Sequence, residues 1–318
     1  MRILNQLPEE ARPNAPALRY VMGNYAKRAR QILWLQLVVG IALVIGVGVI
    51  GGRLLSQDQG LPASAILMNA LYPAAVLGQI LMSVFMLMMT MGVINEEKRR
   101  QTWDNLRATD TGTQITLRAR WFAAVFYRLF LLLVIIYSVR LALVGALLYD
   151  LTAFSGDYLA LISGGSVQPL LPVEAIIILT AFSLTASFIL PLTGLGLDAA
   201  LGILLATFIN HRVWIALTQM VLSIARFAMV IGLFLLMQNL VDPTNASEPF
   251  LKWISMVGFG GFGDWGLRFL NLQSYSELWS TVPFGIFVGV GMLLIAVIQA
   301  GLTELFLSWA ARRAQARD

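Results

Sequence analysis

The sequence has no cysteine and a single histidine, and only 12% of its 318 residues are charged. Without cysteine there is no disulfide framework, no thiolate chemistry and no iron–sulfur cluster. One histidine cannot supply the two axial imidazoles of a membrane cytochrome. Soluble domains carry about 25% charged residues, so a chain that is 58% hydrophobic with a mean hydropathy of +0.77 is not a soluble fold. There is also no G-x-x-x-x-G-K-[ST] loop, so the chain does not cradle ATP phosphates by that device. No nucleophile, acid–base pair or metal triad stands in an aqueous site, so enzyme activity, a cofactor and a metal are not expected in this chain.

What is present is long apolar runs. A helix rising about 1.5 Å per residue needs about 20 apolar residues to cross about 30 Å of hydrocarbon. No charge occurs between Arg30 and Arg53, which makes span one. Pro73 divides the next uncharged window, so an outer lead-in is expected before it and span two from there to Asn95. Span three is expected from Arg120 to Asp150, span four from Glu174 to Asn210 with a kink near Pro191, Gly194 and Gly196, span five from Val213 to Leu240, and span six from Val282 to Ala311. The glycine-broken stretch 250–275 carries charges and is expected to dip into the outer leaflet without crossing. The fold expected is therefore all-α and polytopic, with about six transmembrane helices. An N-terminal segment, 1–31, contains an interface helix in which Leu18, Val21, Met22 and Tyr25 share a face. The transmembrane domain covers 32–311 and a tail covers 312–318. The first apolar run is long and glycine-rich for a cleaved signal and is expected to remain as an anchor.

Basic residues set the orientation. Sixteen Lys and Arg collect on the side that holds both termini and the 95–120 loop, against Arg53, Lys252 and Arg268 on the other. The basic side is expected to be cytoplasmic, which makes this a multi-pass protein of the cell inner membrane with both termini inside. The net charge of +5 belongs to those flanks, facing anionic lipid rather than nucleic acid.

Several patterns have a plain structural reading. Gly258, Gly260 and Gly263 spell G-x-G-x-x-G, but no strand precedes them. Met82, Met86, Met88, Met89 and Met91 are read as adaptable packing, and Trp121, Trp253, Trp265, Tyr275 and Trp279 as interfacial anchors. Charges within spans cost several kcal/mol unless paired or hydrated, so they are more informative. Arg128, Asp198 and Glu304 all lie roughly 9–18 Å from the inner boundary by rise per residue, and ion pairing among them is expected. Arg140 and Arg226 lie farther out with no evident acid in the spans. They are the candidates for contact with an anionic or amphiphilic substrate.

The loop between spans two and three begins with Glu96 and Glu97 and sets Thr102, Trp103, Leu106 and Thr109 toward one face, with charges elsewhere. An apolar face outside the spans calls for a partner. Here the sequence resembles the membrane subunits of type-two ATP-binding-cassette (ABC) exporters, whose second span runs into a short cytoplasmic coupling helix. Glu97, Thr102, Leu106 and Thr109 take the places of that motif, with Ile115 and Arg120 after it. Gln101 stands where the family has Gly, Asp110 where it has Pro, and Ala119-Arg120 where it has Gly-Lys. Gly202-Ile203-Leu204-Leu205-Ala206-Thr207-Phe208 resembles the end of the family's fourth span. The resemblance implies a permease subunit of an ABC transporter that moves an unidentified substrate, with export the expected direction, using ATP hydrolysed by a separate ABC ATPase docked on Glu97, Thr102, Trp103, Leu106 and Thr109. It implies a second permease subunit, the same chain or another, as the other half of a dimer. The alternative is a non-transporting membrane scaffold within a larger complex.

Overall fold

A computed structural model describes residues 63–92, 112–153, 173–209, 211–241, 248–271 and 287–316, with a few single helical positions before them. Every regular element among the described residues is helical. α1 is Ala63–Met91 and α2 is Gly112–Phe122, followed by a π-helical turn, Ala123–Arg128. α3 is Phe130–Ala153, α4 Val173–Phe208, α5 Arg212–Val241 and α6 Pro249–Gly258. A second π turn, Phe259–Gly263, and a single 3-10 turn, Arg268–Leu270, lead on toward α7, Val288–Ala316. Among the described residues, five helices are long and apolar enough to cross a membrane: Ser64–Met91, Phe130–Asp150, Thr180–Phe208, Val213–Leu240 and Val288–Ala316. The chain is an all-α, polytopic membrane protein. Span one and the interface helix lie outside the described residues.

The fifth span matches its expected limits, and two others shift for identifiable reasons. α1 does not begin at Pro73 but runs through it from Ala63. Proline removes one helical hydrogen bond, a loss that a membrane helix supported by its neighbours absorbs, and Pro73 lies on the exposed side. The start of the α1 helix is held from outside: the carboxylate of Asp150, near the end of α3, accepts from the Ser64 N–H at 2.8 Å. That N–H is one of the donors that a helix leaves unsatisfied at its first turn. The third span starts not at Arg120 but at Phe130, because the π turn and the irregular backbone at Leu129 (φ −102°, ψ 12°) separate it from α2. The sixth is described from Val288 and continues to Ala316, and its expected start at Val282 lies outside the described residues. α4 passes Pro191 as one unbroken helix.

α4 is the central element. It forms its longest interface with α7 and also packs on α1. Glycine permits the close approaches. A Cβ on Gly289 of α7 would meet the Ser183 backbone nitrogen of α4 at 2.5 Å, and one on Gly202 of α4 would meet the Thr90 side chain of α1. Met82, Met86 and Met91 are buried as core packing. α5 is the outlier, with only 11% of its apolar window buried inside the chain.

Candidate functional site

Glu97, Thr102, Trp103, Leu106 and Thr109 of the coupling segment lie outside the described residues. The end of that 95–120 segment lies within them, as most of α2. There the Trp121 indole N–H donates to the Gly196 carbonyl of α4 at 2.8 Å, and Arg118 pairs with Glu304 of α7 at 2.8 Å. α2 is thereby fastened to both members of the central α4–α7 pair.

The intramembrane charges are arranged differently from the expected grouping of Arg128, Asp198 and Glu304. Glu304 pairs with Arg118, with its own side chain 64% exposed. Arg128 is exposed at the end of the π turn. Asp198 faces Arg226 of α5, 3.9 Å away. Helix rise places two residues at one depth but does not say which side chains meet, and here the Arg226 side chain of α5 reaches toward Asp198 of α4 while Arg128 is exposed. Arg226 therefore has an acid beside it, contrary to the reading of the spans alone.

Arg140 also has company that the spans alone did not show. It is fully buried, and its guanidinium donates to the Trp265 carbonyl at 3.0 Å and the Asp264 carbonyl at 3.4 Å. With the Gln79 amide oriented to satisfy both neighbours, Gln79 donates to the Asp264 carbonyl and accepts from Arg140, each at 3.0 Å. The Asp264 carboxylate is engaged at both oxygens. Oδ1 accepts from the Gly266 N–H at 3.0 Å, and Oδ2 accepts from the Arg268 N–H at 2.9 Å and the Tyr72 hydroxyl at 3.2 Å. Burial pushes this carboxyl up to about 6, against the opposing pull of the Arg268 N–H, the Arg140 guanidinium, the Tyr72 hydroxyl and the Gly266 N–H.

This node holds the turn that ends the broken segment. Trp265 has φ +52° and Gly266 φ +72°, left-handed backbone that costs free energy at a tryptophan. The side-chain clamp offsets that cost. Trp265 is 1% exposed, so it is core rather than an interfacial anchor, and its ring lies where a Cβ on Gly194 would stand, 2.7 Å from Nε1. On the opposite side Gln299 of α7 donates to the Gly261 carbonyl at 3.1 Å and accepts from Thr193 of α4 at 2.7 Å. The glycines of the nucleotide-like pattern serve packing: a Cβ on Gly260 would meet Met292 at 2.6 Å, and one on Gly261 would meet Ile295 at 2.5 Å. Sequence reasoning missed Asp264, although an acid inside the apolar, glycine-broken stretch was the available signal.

The second node is built less completely. Arg226 donates to Ser83 Oγ of α1 at 3.3 Å and stands 3.9 Å from Asp198 Oδ2. The side chains of Arg226 and Asp198 are 12% and 10% exposed. Asp198 Oδ2 and Arg226 Nε are buried and have no hydrogen-bond partner among the described residues. Ser83 lies one helical turn beyond Gln79 on α1, so both nodes touch the same face of that helix.

Compared with known proteins, the chain matches no family model, no curated protein and no solved structure.

Proposed function

We propose that this chain is the membrane-spanning permease subunit of an ABC transporter of the cell inner membrane, working with a separate ATPase and a second permease subunit. The observation that carries the reading is the charged loop between spans two and three, in which Glu97, Thr102, Trp103, Leu106 and Thr109 follow the coupling-helix pattern. Support from the fold is its tether: α2, which closes that loop, is fastened to α4 through Trp121 and to α7 through Arg118. A push on the loop would thus be delivered to the central helix pair. The broken segment before the last span, 249–271, suits the external re-entrant element that the resemblance implies. Of the two candidate arginines, Arg140 spends its donors on the chain itself, which leaves Arg226 as the candidate for substrate contact.

The test is recovery of an ABC ATPase with the tagged chain. Loss of a desolvated aromatic anchor commonly costs about 2 kcal/mol or more at an interface. Trp103→Ala with Leu106→Ala is therefore expected to reduce ATPase recovery at matched membrane abundance. Undiminished recovery, or no ATPase with the wild-type chain, overturns the reading. The second reading, a non-transporting scaffold, is favoured by one observation. The Arg140–Asp264 node is closed on itself, as a purely structural membrane subunit requires.

A further inference from the structure

α7 presents one continuous line to the outside of the chain. Leu294, Gly301, Leu305 and Arg312 follow one another at spacings of seven, four and seven, which return to one side of a helix, and all four are exposed. Val297 and Ile298 flank the line and are exposed as well. Gly301 leaves a gap in it, since nothing stands within 4 Å of where its Cβ would be. By helix rise Gly301 lies about 17 Å from Arg312. That is close to half of the about 30 Å thickness of the hydrocarbon, the depth of one leaflet.

The basic end of the line is built with aromatic rings. Trp309 and Arg313, one helical turn apart beside Arg312, both reach Phe208 at the end of α4: the guanidinium stands 5.0 Å from that ring's centroid, and the indole meets the ring edge-on at 6.0 Å. A guanidinium over a ring is held by its face, which leaves its N–H edge for an anionic oxygen. Tryptophan beside it marks headgroup level. On the other flank Glu304 is taken by Arg118 of α2. Among the described residues neither Arg312 nor Arg313 stands in an ion pair, so their two charges remain for a ligand.

We propose that this end of α7 is a binding site for one anionic phospholipid, with its phosphate on Arg312 and Arg313 beside Trp309 and Phe208 and one acyl chain running past Leu305 to the gap at Gly301. An apolar line of leaflet depth that ends on two arginines complements a lipid of net negative charge. A zwitterionic lipid brings a cation to the same place and is disfavoured. The site is independent of the permease reading and stands or falls with lipid binding alone.

The experiment is mass spectrometry of the intact, full-length chain released from a neutral detergent, with dioleoyl phosphatidylglycerol and dioleoyl phosphatidylcholine present together at equal concentration. The wild-type chain is expected to carry one phosphatidylglycerol in preference to phosphatidylcholine. Arg312→Gln with Arg313→Gln is expected to lower that occupancy about tenfold, the scale set by losing charge-assisted hydrogen bonds. Arg2→Gln with Arg12→Gln removes as much charge from the N-terminal segment and is expected to leave the lipid bound. Arg312→Lys with Arg313→Lys keeps both charges and is expected to hold more phosphatidylglycerol than the glutamine pair. Inorganic phosphate in large excess is not expected to displace the lipid, because it lacks the acyl chain. Equal occupancy in the wild type and the Arg312, Arg313 glutamine variant overturns the proposal, as does equal binding of the two lipids by the wild type. So does an equal loss in the Arg2, Arg12 variant, a lysine pair that binds no better than the glutamine pair, or displacement by inorganic phosphate.

Discussion

Two charged nodes touch one face of α1 a helical turn apart, and they are finished to different degrees. At Gln79, Arg140 binds two backbone carbonyls and the glutamine, and Asp264 is engaged at both oxygens. At Ser83, Arg226 and Asp198 stand 3.9 Å apart with buried atoms unpartnered among the described residues. The contrast lies in the partners. The first node binds main-chain groups of a turn with positive φ, so its geometry is fixed by the fold, whereas the second joins side chains of three helices. A node of the first kind anchors a segment, and one of the second kind leaves hydrogen-bonding capacity unused.

The largest effect that bears on this contrast is expected from Asp264→Ala. It removes the acceptor of three hydrogen bonds, each contributing about 1 kcal/mol or more, while the Asp264 carbonyl that Arg140 binds stays in place. A sharp rise in protease cleavage within 249–271 is the expected readout, and an unchanged cleavage pattern would show that the turn stands without its clamp. Gly194→Ala attacks the same node through packing, since the new Cβ would press on the Trp265 ring. Overpacking of this kind costs about 1–3 kcal/mol, to be read from thermal unfolding in vesicles. Tyr72→Phe removes one hydrogen bond to Asp264 and is expected to cost about 1 kcal/mol. Arg118→Ala is the smallest. Its pair with Glu304 is 33% and 64% exposed, and such pairs contribute about 0–1 kcal/mol. A larger loss of stability there would mean that α2 is held mainly by this pair.

Much of the fold is legible in the sequence because hydrocarbon imposes a length on every span. The charges and turn formers that flank Val213–Leu240 define its limits to the residue. Pro73 misleads because a membrane helix supported by its neighbours can absorb the hydrogen bond that a proline removes, and that support is a tertiary property that no residue type reports. The π turn at Ala123–Arg128 is invisible for a related reason: its residues are as apolar and helix-compatible as their neighbours. In the candidate site, depth along each span can be counted from sequence, which brings Asp198 and Arg226 into view as intramembrane charges. Their pairing cannot, because it depends on helix rotation. Arg140 reads as free for substrate because its partner lies in a segment that does not cross, and the carbonyls it binds carry no sequence signature.

The difference between the completed node and the open one is tested most directly by comparing the unfolding midpoints of Arg140→Leu and Arg226→Leu in the same phosphatidylglycerol vesicles. Arg140 gives up two carbonyl bonds and its bond with Gln79, whereas Arg226 gives up one bond of 3.3 Å to Ser83 and its 3.9 Å approach to Asp198. The midpoint of Arg140→Leu is expected to fall about twice as far as that of Arg226→Leu, or farther. Equal shifts, or a larger one for Arg226→Leu, would contradict the account.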